Sequence, residues 1–191
     1  GAIYGEQDYF PADEEHQTNP CSPYGIGKLV NEKYLYYYKL EFGIEYVSLR
    51  YANVYGPRQN HRGEAGVVAI FLHKMLSGEQ PVINGDGKNT RDYTYVGDVV
   101  RSNLLALDEK CAGIYNVGTA VENDVNFIFR NLKDMSGSDC EEIHGEPKKG
   151  EQRRSVIVSK RLNEQFGWHP EVELKDGLSR TAEFFKNKVK G

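Results

Sequence analysis

The clearest pattern of apolar positions in this chain is a helical one that follows a polar N-terminal stretch. Ser22 and Pro23 are typical of a helix start, because a serine side chain accepts a hydrogen bond from a free N–H of the first turn and proline has no N–H to leave unpaired. Apolar and aromatic residues then cover much of the circumference up to Phe42, and Gly43 is a typical helix end. The pattern predicts a helix from Pro23 to Phe42 that is buried on more than one side.

The remaining chain alternates two patterns. Short segments rich in β-branched and aromatic residues predict strands, and segments with apolar residues at helical spacing predict helices. This alternation is typical of an α/β protein. The predicted strands are 45–51, 82–84, 92–96, 114–117, 141–144 and 155–158, with Ile3 and Tyr4 ending an earlier one; the further predicted helices are 67–77, 98–108, 124–135, 159–166 and 174–189; residues 53–66 and 145–154 are predicted to be a loop and a polar linker.

Composition excludes several classes of protein. The 191 residues are 39% hydrophobic, which is enough to form a core, and the net charge of −4 comes without the basic stripe that nucleic-acid-binding proteins usually have. No stretch approaches the roughly 18 apolar residues of a membrane span, so we expect neither nucleic acid nor membrane as a partner, and no secretion signal. The three cysteines lack C-x-x-C spacing and the five histidines are scattered. These features predict reduced thiols, no metal site and a cytoplasmic location.

Tyr24 and Lys28 are the first candidates for chemistry. A spacing of four residues puts both side chains on one face of the predicted helix. A lysine ammonium close to a tyrosine phenol favours the phenolate, which can then act as a general base near neutral pH. The Y-x-x-x-K motif is short, and on a tyrosine-rich helix the pair can also arise without a role in catalysis. The motif by itself leaves both interpretations open.

Seven segments along the chain give this motif a context. They are GAIYGE, NPCSPYGIGK, SLRYANVYGPRQ, GVVAIF, INGDGKNTRDYTYVGDV, IYNVGT and GEQRRS. In this order they resemble the NAD-dependent epimerase/dehydratase family, the extended short-chain dehydrogenases/reductases that modify nucleotide sugars, and most closely its UDP-hexose 4-epimerases. The resemblance extends over essentially all 191 residues, and RYANVYGPRQ and GDGKNTRDYTYVGDV are its most specific parts.

The resemblance implies a fold and an activity. The fold would be α/β, with residues 1–62 forming the C-terminal part of a Rossmann-like NAD(P)-binding domain. Residues 63–191 would form mainly a smaller α/β region that binds the nucleotide sugar, with segments around 92–117 returning to the Rossmann-like domain. The activity would be the interconversion of UDP-glucose and UDP-galactose, or of the N-acetylated pair, by transient NAD-dependent oxidation at C4.

The same resemblance implies roles for single residues. Tyr24 would be the catalytic acid/base and would also contact the cofactor. Lys28 would bind the nicotinamide ribose of NAD and assist Tyr24, and Tyr51 would lie where the cofactor meets the sugar diphosphate. The residues implied to bind the substrate are Ala52, Asn53, Val67, Val68, Asn84, Arg91, Lys148 and Ser155.

Arg91 is the implied partner of the diphosphate, because a guanidinium fork matches phosphate oxygens. A surface ion pair with Asp92 or Asp98 is the alternative. Lys148 stands where the family has a second diphosphate arginine; a lysine can still neutralise phosphate, but it lacks the bidentate geometry.

Ser155 falls where the epimerases have the residue that limits space beside the sugar 2-substituent. A small side chain there would admit UDP-N-acetylglucosamine as well as UDP-glucose, although Ser155 can also simply begin a strand.

Gly1 and Ala2 stand where the dehydratases have an acidic pair, and the decarboxylases keep its glutamate. We therefore expect epimerisation rather than dehydration or decarboxylation.

Two features of the family have no counterpart in this sequence. Its G-x-x-G-x-x-G loop, which binds the dinucleotide pyrophosphate, and its catalytic Ser or Thr would both precede Gly1. We expect these features in an N-terminal half outside this chain, and we expect the complete protein to form a homodimer through the helix of Tyr24. The alternative is an inactive truncated remnant that binds nucleotide sugar weakly.

Overall fold

The computed structural model describes residues 1–62, 66–148 and 150–190, and its helices alternate with short strands. The helices are α1 (Pro23–Phe42), α2 (Val67–Leu76), α3 (Val96–Leu105), α4 (Val125–Ser136), α5 (Lys160–Phe166) and α6 (Leu174–Lys190). The strands are β1 (Val47–Tyr51), β2 (Asn53–Tyr55), β3 (Val82–Asn84), β4 (Thr90–Tyr95), β5 (Gly113–Val117), β6 (Glu122–Asp124), β7 (Ile143–Gly145) and β8 (Arg154–Ser155).

The described strands form three small sheets. In one, β1 lies parallel to β5, from Val47 opposite Gly113 to Tyr51 opposite Val117. In the largest, β4 lies between β2 and β6, and β8 also pairs with β4; β2 and β8 are parallel to β4, and β6 is antiparallel. The third sheet pairs β3 with β7 in parallel. Parallel strands connected through helices confirm the predicted α/β class.

The predicted ends of α1 are confirmed. The Ser22 side chain accepts a hydrogen bond from the Gly25 N–H at 3.1 Å, and Gly43 adopts the left-handed conformation with φ of 67°. The prediction that this helix is buried on more than one side is wrong for this chain taken alone. Only Gly25 and Glu32 are buried, because α1 packs on the rest of the chain through one narrow face. Leu29 and Leu35 are half-buried, and the other apolar and aromatic side chains of the helix are exposed, by 61% at Tyr34 for example.

Three other predictions of local structure are wrong. Residues 2–4 form a short 3₁₀ helix and not the end of a strand. Ile3 and Tyr4 resemble strand residues in the sequence because both are buried. Residues 53–55, predicted as loop, form β2, and β6 was not predicted. Of the strand predicted at 155–158, only Ser155 lies in β8. Such short strands contain too few residues to show a period of two.

Two main hydrophobic clusters hold these elements together. One joins α2, α4 and α6 to β4, and the other joins β1 and β5 to α3, α5 and Trp168. The second cluster therefore combines residues 47–51 with later segments of the chain. The division into residues 1–62 and 63–191 stays a prediction.

A buried polar network attaches α1 to the β1–β5 sheet. Glu32 of α1 accepts two hydrogen bonds from the Arg50 guanidinium of β1, at 2.8 and 2.7 Å. Arg50 also donates to the Tyr4 hydroxyl, which in turn donates to Asn116 of β5. Burial lowers the pKa of Arg50, but the hydrogen bonds and charge of its partners outweigh burial and raise that pKa above the ordinary value. Arg50 is therefore a permanent buried cation whose only described carboxylate partner is Glu32.

Removing the Glu32 charge tests the importance of this pair. We expect Glu32→Gln to lower the free energy of unfolding by about 3 kcal/mol, because it leaves the buried Arg50 cation without a counter-ion. Glu45→Gln is the matched control, since Glu45 pairs with Lys39 on the exposed surface, where ion pairs contribute little. Urea denaturation measures both variants, and equal losses in the two would contradict the expectation.

Candidate active site

A cleft of about 600 Å³ opens between α1, β1 and the N-terminal 3₁₀ helix. Asn84 and Lys148 line a second cavity, of about 530 Å³. Val67 and Val68 are not among the described residues that line either one; Val68 is buried in the core. The predicted site residues that the structure brings together in the cleft are Tyr24, Lys28, Tyr51, Ala52, Asn53, Arg91 and Ser155.

Tyr24 and Lys28 lie on the first two turns of α1 and face the cleft together. The Lys28 Nζ lies 5.2 Å from the centroid of the Tyr24 ring, and Tyr24 is 55% exposed. Gly25 allows this placement, because a Cβ there would lie 2.6 Å from the Ala2 carbonyl oxygen. The first turn of the helix therefore packs directly on the 3₁₀ helix, which leaves the phenol and the ammonium at the wall of the cleft.

Arg91 lies in the cleft with its side chain only 14% exposed. Its Nη2 is 3.7 Å from Oε1 of Glu151, which lines the second cavity. The alternative interpretation, an ion pair with Asp92 or Asp98, is wrong: Asp98 pairs with Arg101, and Asp92 is buried among backbone donors. The contact between Arg91 and Glu151 joins the two cavities into one groove. All the residues predicted to bind the substrate line this groove except Val67 and Val68.

Asp92, next to Arg91 in β4, is a buried carboxylate that connects three segments. It accepts hydrogen bonds from the Thr119 N–H and hydroxyl, at 3.0 and 2.7 Å, and from the N–H groups of Ala120 and Ile157. Burial raises the pKa of Asp92 to about 6, because loss of hydration outweighs these hydrogen bonds, which lower it. The carboxylate fixes the strand that presents Arg91 to the cleft.

Ser155 of β8 lies opposite Arg91 of β4 and is buried. A Cβ added to Gly1 would lie 3.7 Å from the Ser155 Oγ and 3.6 Å from the Tyr51 carbonyl oxygen. Gly1 and Ser155, which are far apart in the sequence, therefore meet at the same wall of the cleft. Gly1 and Ala2 line this wall without a carboxylate.

Two glutamines also line the cleft, and the sequence reasoning did not single them out. Gln59 donates a hydrogen bond to the Val54 carbonyl at 2.9 Å, and Gln152 donates one to the Gly5 carbonyl. Gln59 lies in the segment SLRYANVYGPRQ and Gln152 in GEQRRS. These segments also contain predicted site residues, so the sequence could have indicated both glutamines as candidates.

The family model described as "NAD dependent epimerase/dehydratase family" matches residues 1–118. The chain belongs to this family. The chain spans about 60% of the length of the curated relatives it matches. Among its described residues, no helix is long and apolar enough to cross a membrane.

Three solved structures illustrate the similarity. The UDP-glucose 4-epimerase of Thermotoga maritima, solved with UDP-glucose, is 47% identical with a TM-score of 0.93, over 99% of this chain and 62% of that one. The UDP-glucose 4-epimerase of Thermus thermophilus, solved with NAD, is 40% identical with a TM-score of 0.91, over 97% and 61%. A UDP-N-acetylglucosamine 4-epimerase of Methanobrevibacter ruminantium, solved with UDP-N-acetylmuramic acid, is 32% identical with a TM-score of 0.91, over 98% and 61%.

The raised pKa of Asp92 predicts a pH-dependent stability. Because its pKa is raised to about 6 in the folded state, its contribution to stability is complete below about pH 4 and is lost as the pH rises through about 6. The side chain of Asp92→Asn cannot ionise. Between about pH 4 and pH 8, we therefore expect the free energy of unfolding of this variant to rise by on the order of 3 kcal/mol relative to that of the unsubstituted protein. Urea denaturation measures this, with the exposed Asp139→Asn as control; a difference that does not vary with pH would contradict it.

Proposed function

We propose that the protein, at its full length, is a UDP-hexose 4-epimerase that interconverts UDP-glucose and UDP-galactose. The observation that supports this most directly is that Tyr24, Lys28 and Arg91 line one cleft. It combines a candidate acid/base, a cation beside it and a candidate diphosphate ligand. The 47% identity with the Thermotoga maritima enzyme, which was solved with UDP-glucose, favours the same substrate class.

The donor set at the start of α1 fits the nicotinamide end of NAD. The Lys28 ammonium can donate to ribose hydroxyls while remaining close to the Tyr24 ring. When bound, NAD supplies reversible acceptance of hydride from the sugar C4. Tyr24 takes the proton of the 4-hydroxyl during oxidation and returns a proton to that oxygen after the sugar has presented its other face. Lys28 places its positive charge beside the ring that carries out both transfers.

Substrate binding uses the rest of the groove. Arg91 binds the diphosphate, and Asn53, which begins β2 in the cleft wall, donates to the diphosphate or the sugar. Lys148 and Asn84 line the second cavity, which suits the remainder of the nucleotide. Ala52 contributes to the sugar pocket. Val67 and Val68, which line neither cavity, have no part in this proposal.

Epimerisation fits the cleft better than loss of water or carbon dioxide. In the resemblance described above, the dehydratases have an acidic pair at the positions of Gly1 and Ala2, and the decarboxylases keep the glutamate of that pair. Both positions line the cleft, but neither side chain can transfer a proton. Epimerisation does not need an acidic residue at either position.

The exposed face of α1 supports a homodimer. Ile26, Val30, Tyr34 and Tyr37 recur at helical spacing on this helix, and each is at least 43% exposed. An apolar stripe of this kind is typical of a helix–helix interface. A second copy of the protein is the proposed occupant, and a monomer in sedimentation equilibrium of the full-length protein would contradict this.

The three free cysteines support a cytoplasmic location.

Deleting the Tyr24 hydroxyl tests the catalytic assignment. In the full-length protein, we expect Tyr24→Phe to lower kcat for UDP-galactose by about 10²- to 10⁴-fold, because the 4-hydroxyl loses its proton acceptor. The NAD content of the purified protein should stay unchanged. Tyr36→Phe, which removes the same group from α1 beside a different small cavity, should keep normal kcat. Normal turnover in Tyr24→Phe would refute the assigned role.

Ser155 tests the substrate range. We expect the protein to accept both UDP-glucose and UDP-N-acetylglucosamine, because Ser155 leaves space at the cleft wall. Ser155→Tyr should lower kcat/KM for the N-acetylated sugar by about tenfold or more relative to UDP-glucose, since the ring occupies the space of the 2-substituent. Ser155→Ala is the control that keeps a small side chain and should preserve the ratio. Equal losses for both sugars in Ser155→Tyr would contradict this.

A further inference from the structure

Arg91 faces a carboxylate that does not hold it in place. Its Nη1 donates to the Thr90 carbonyl oxygen at 2.8 Å, and its side chain is only 14% exposed, so backbone and packing fix the guanidinium. The Glu151 carboxylate lies 3.7 Å from Nη2, which is beyond hydrogen-bond distance. Glu151 is also one-third exposed. The carboxylate therefore acts on Arg91 through charge more than through geometry.

The surrounding charges make Glu151 unusual in the groove. Arg153 in the second cavity is occupied by Asp86, with two hydrogen bonds of 2.7 and 2.9 Å. Arg50 in the first cavity is paired with Glu32, and Lys28 lies beside Tyr24 at the proposed nicotinamide end. Among the described residues that line the two cavities, Arg91 and Lys148 are then the cations that remain for a diphosphate. A diphosphate on Arg91 would bring two or three negative charges next to Glu151. Like charges at that range repel, by an amount that depends on screening.

We propose that Glu151 competes electrostatically with the substrate diphosphate for Arg91 and thereby limits the affinity of the site for nucleoside diphosphates. This rests on the proposed function, because it assumes that Arg91 binds a diphosphate. The consequence is directional: removing this acidic charge strengthens binding, whereas removing a residue that contacts the ligand favourably weakens it. Weaker binding also favours release of the product, which carries the same diphosphate as the substrate.

The experiment is calorimetric titration of Glu151→Gln in the full-length protein with UDP and, separately, with uridine. We expect the Kd for UDP to fall by about three- to tenfold at low salt. The gain should shrink as NaCl is added, because the pair is partly exposed and salt screens it. The Kd for uridine, which has no phosphate, should stay unchanged. Glu146→Gln is the matched control, since Glu146 lines the same cavity without a described contact to Arg91, and it should change UDP affinity less than Glu151→Gln.

Other results would overturn the proposal. Weaker binding of both UDP and uridine to Glu151→Gln would mean that the carboxylate accepts hydrogen bonds from the ribose. Unchanged UDP affinity, or a gain that does not depend on salt, would show that charge competition is absent. If the unsubstituted protein bound no UDP at all, the proposed function would fail, and that result is distinct from UDP binding that Glu151→Gln leaves unchanged.

Discussion

The candidate site depends on the buried ion pair between Glu32 and Arg50. Glu32 lies on the helix that presents Tyr24 and Lys28, and Arg50 lies on the strand that forms the opposite wall of the cleft. An ion pair of this kind gives little net stability compared with apolar packing, but it has one favourable geometry. Tyr4 extends the pair to the N-terminal segment. The network therefore fixes the orientation of the helix on the sheet, which apolar contacts along one narrow face would leave less defined.

A second fixed point lies at the other wall of the cleft. The Asp92 carboxylate gathers donors from the segments that follow β5 and β8, and it does so beside the strand that presents Arg91. The two networks share no residue. One network places the candidate acid/base Tyr24, and the other places Arg91, the candidate ligand of the diphosphate. Together the two networks fix both residues in the same cleft.

Much of the fold followed from local physics. The cap at Ser22 and the glycine at Gly43 define α1 within the chain itself, so its ends could be predicted from sequence. The grouping of Tyr24, Lys28 and Arg91 in one cleft was expected from motif order. The buried networks could not be predicted, because Glu32 and Asp92 are charged residues in polar contexts, and a sequence pattern assigns such residues to the surface. Their burial follows only from partners far away in the chain.

The shortest strand in the structure separates two kinds of change. Ser155 belongs to β8, a strand of two residues that is remote in sequence from α1. Under the proposed function, a substitution there alters the space beside the substrate without touching the helix that holds Tyr24, and one on that helix leaves β8 in place. In evolutionary terms, the proposal implies that the choice of sugar can diversify while the reaction chemistry stays constant.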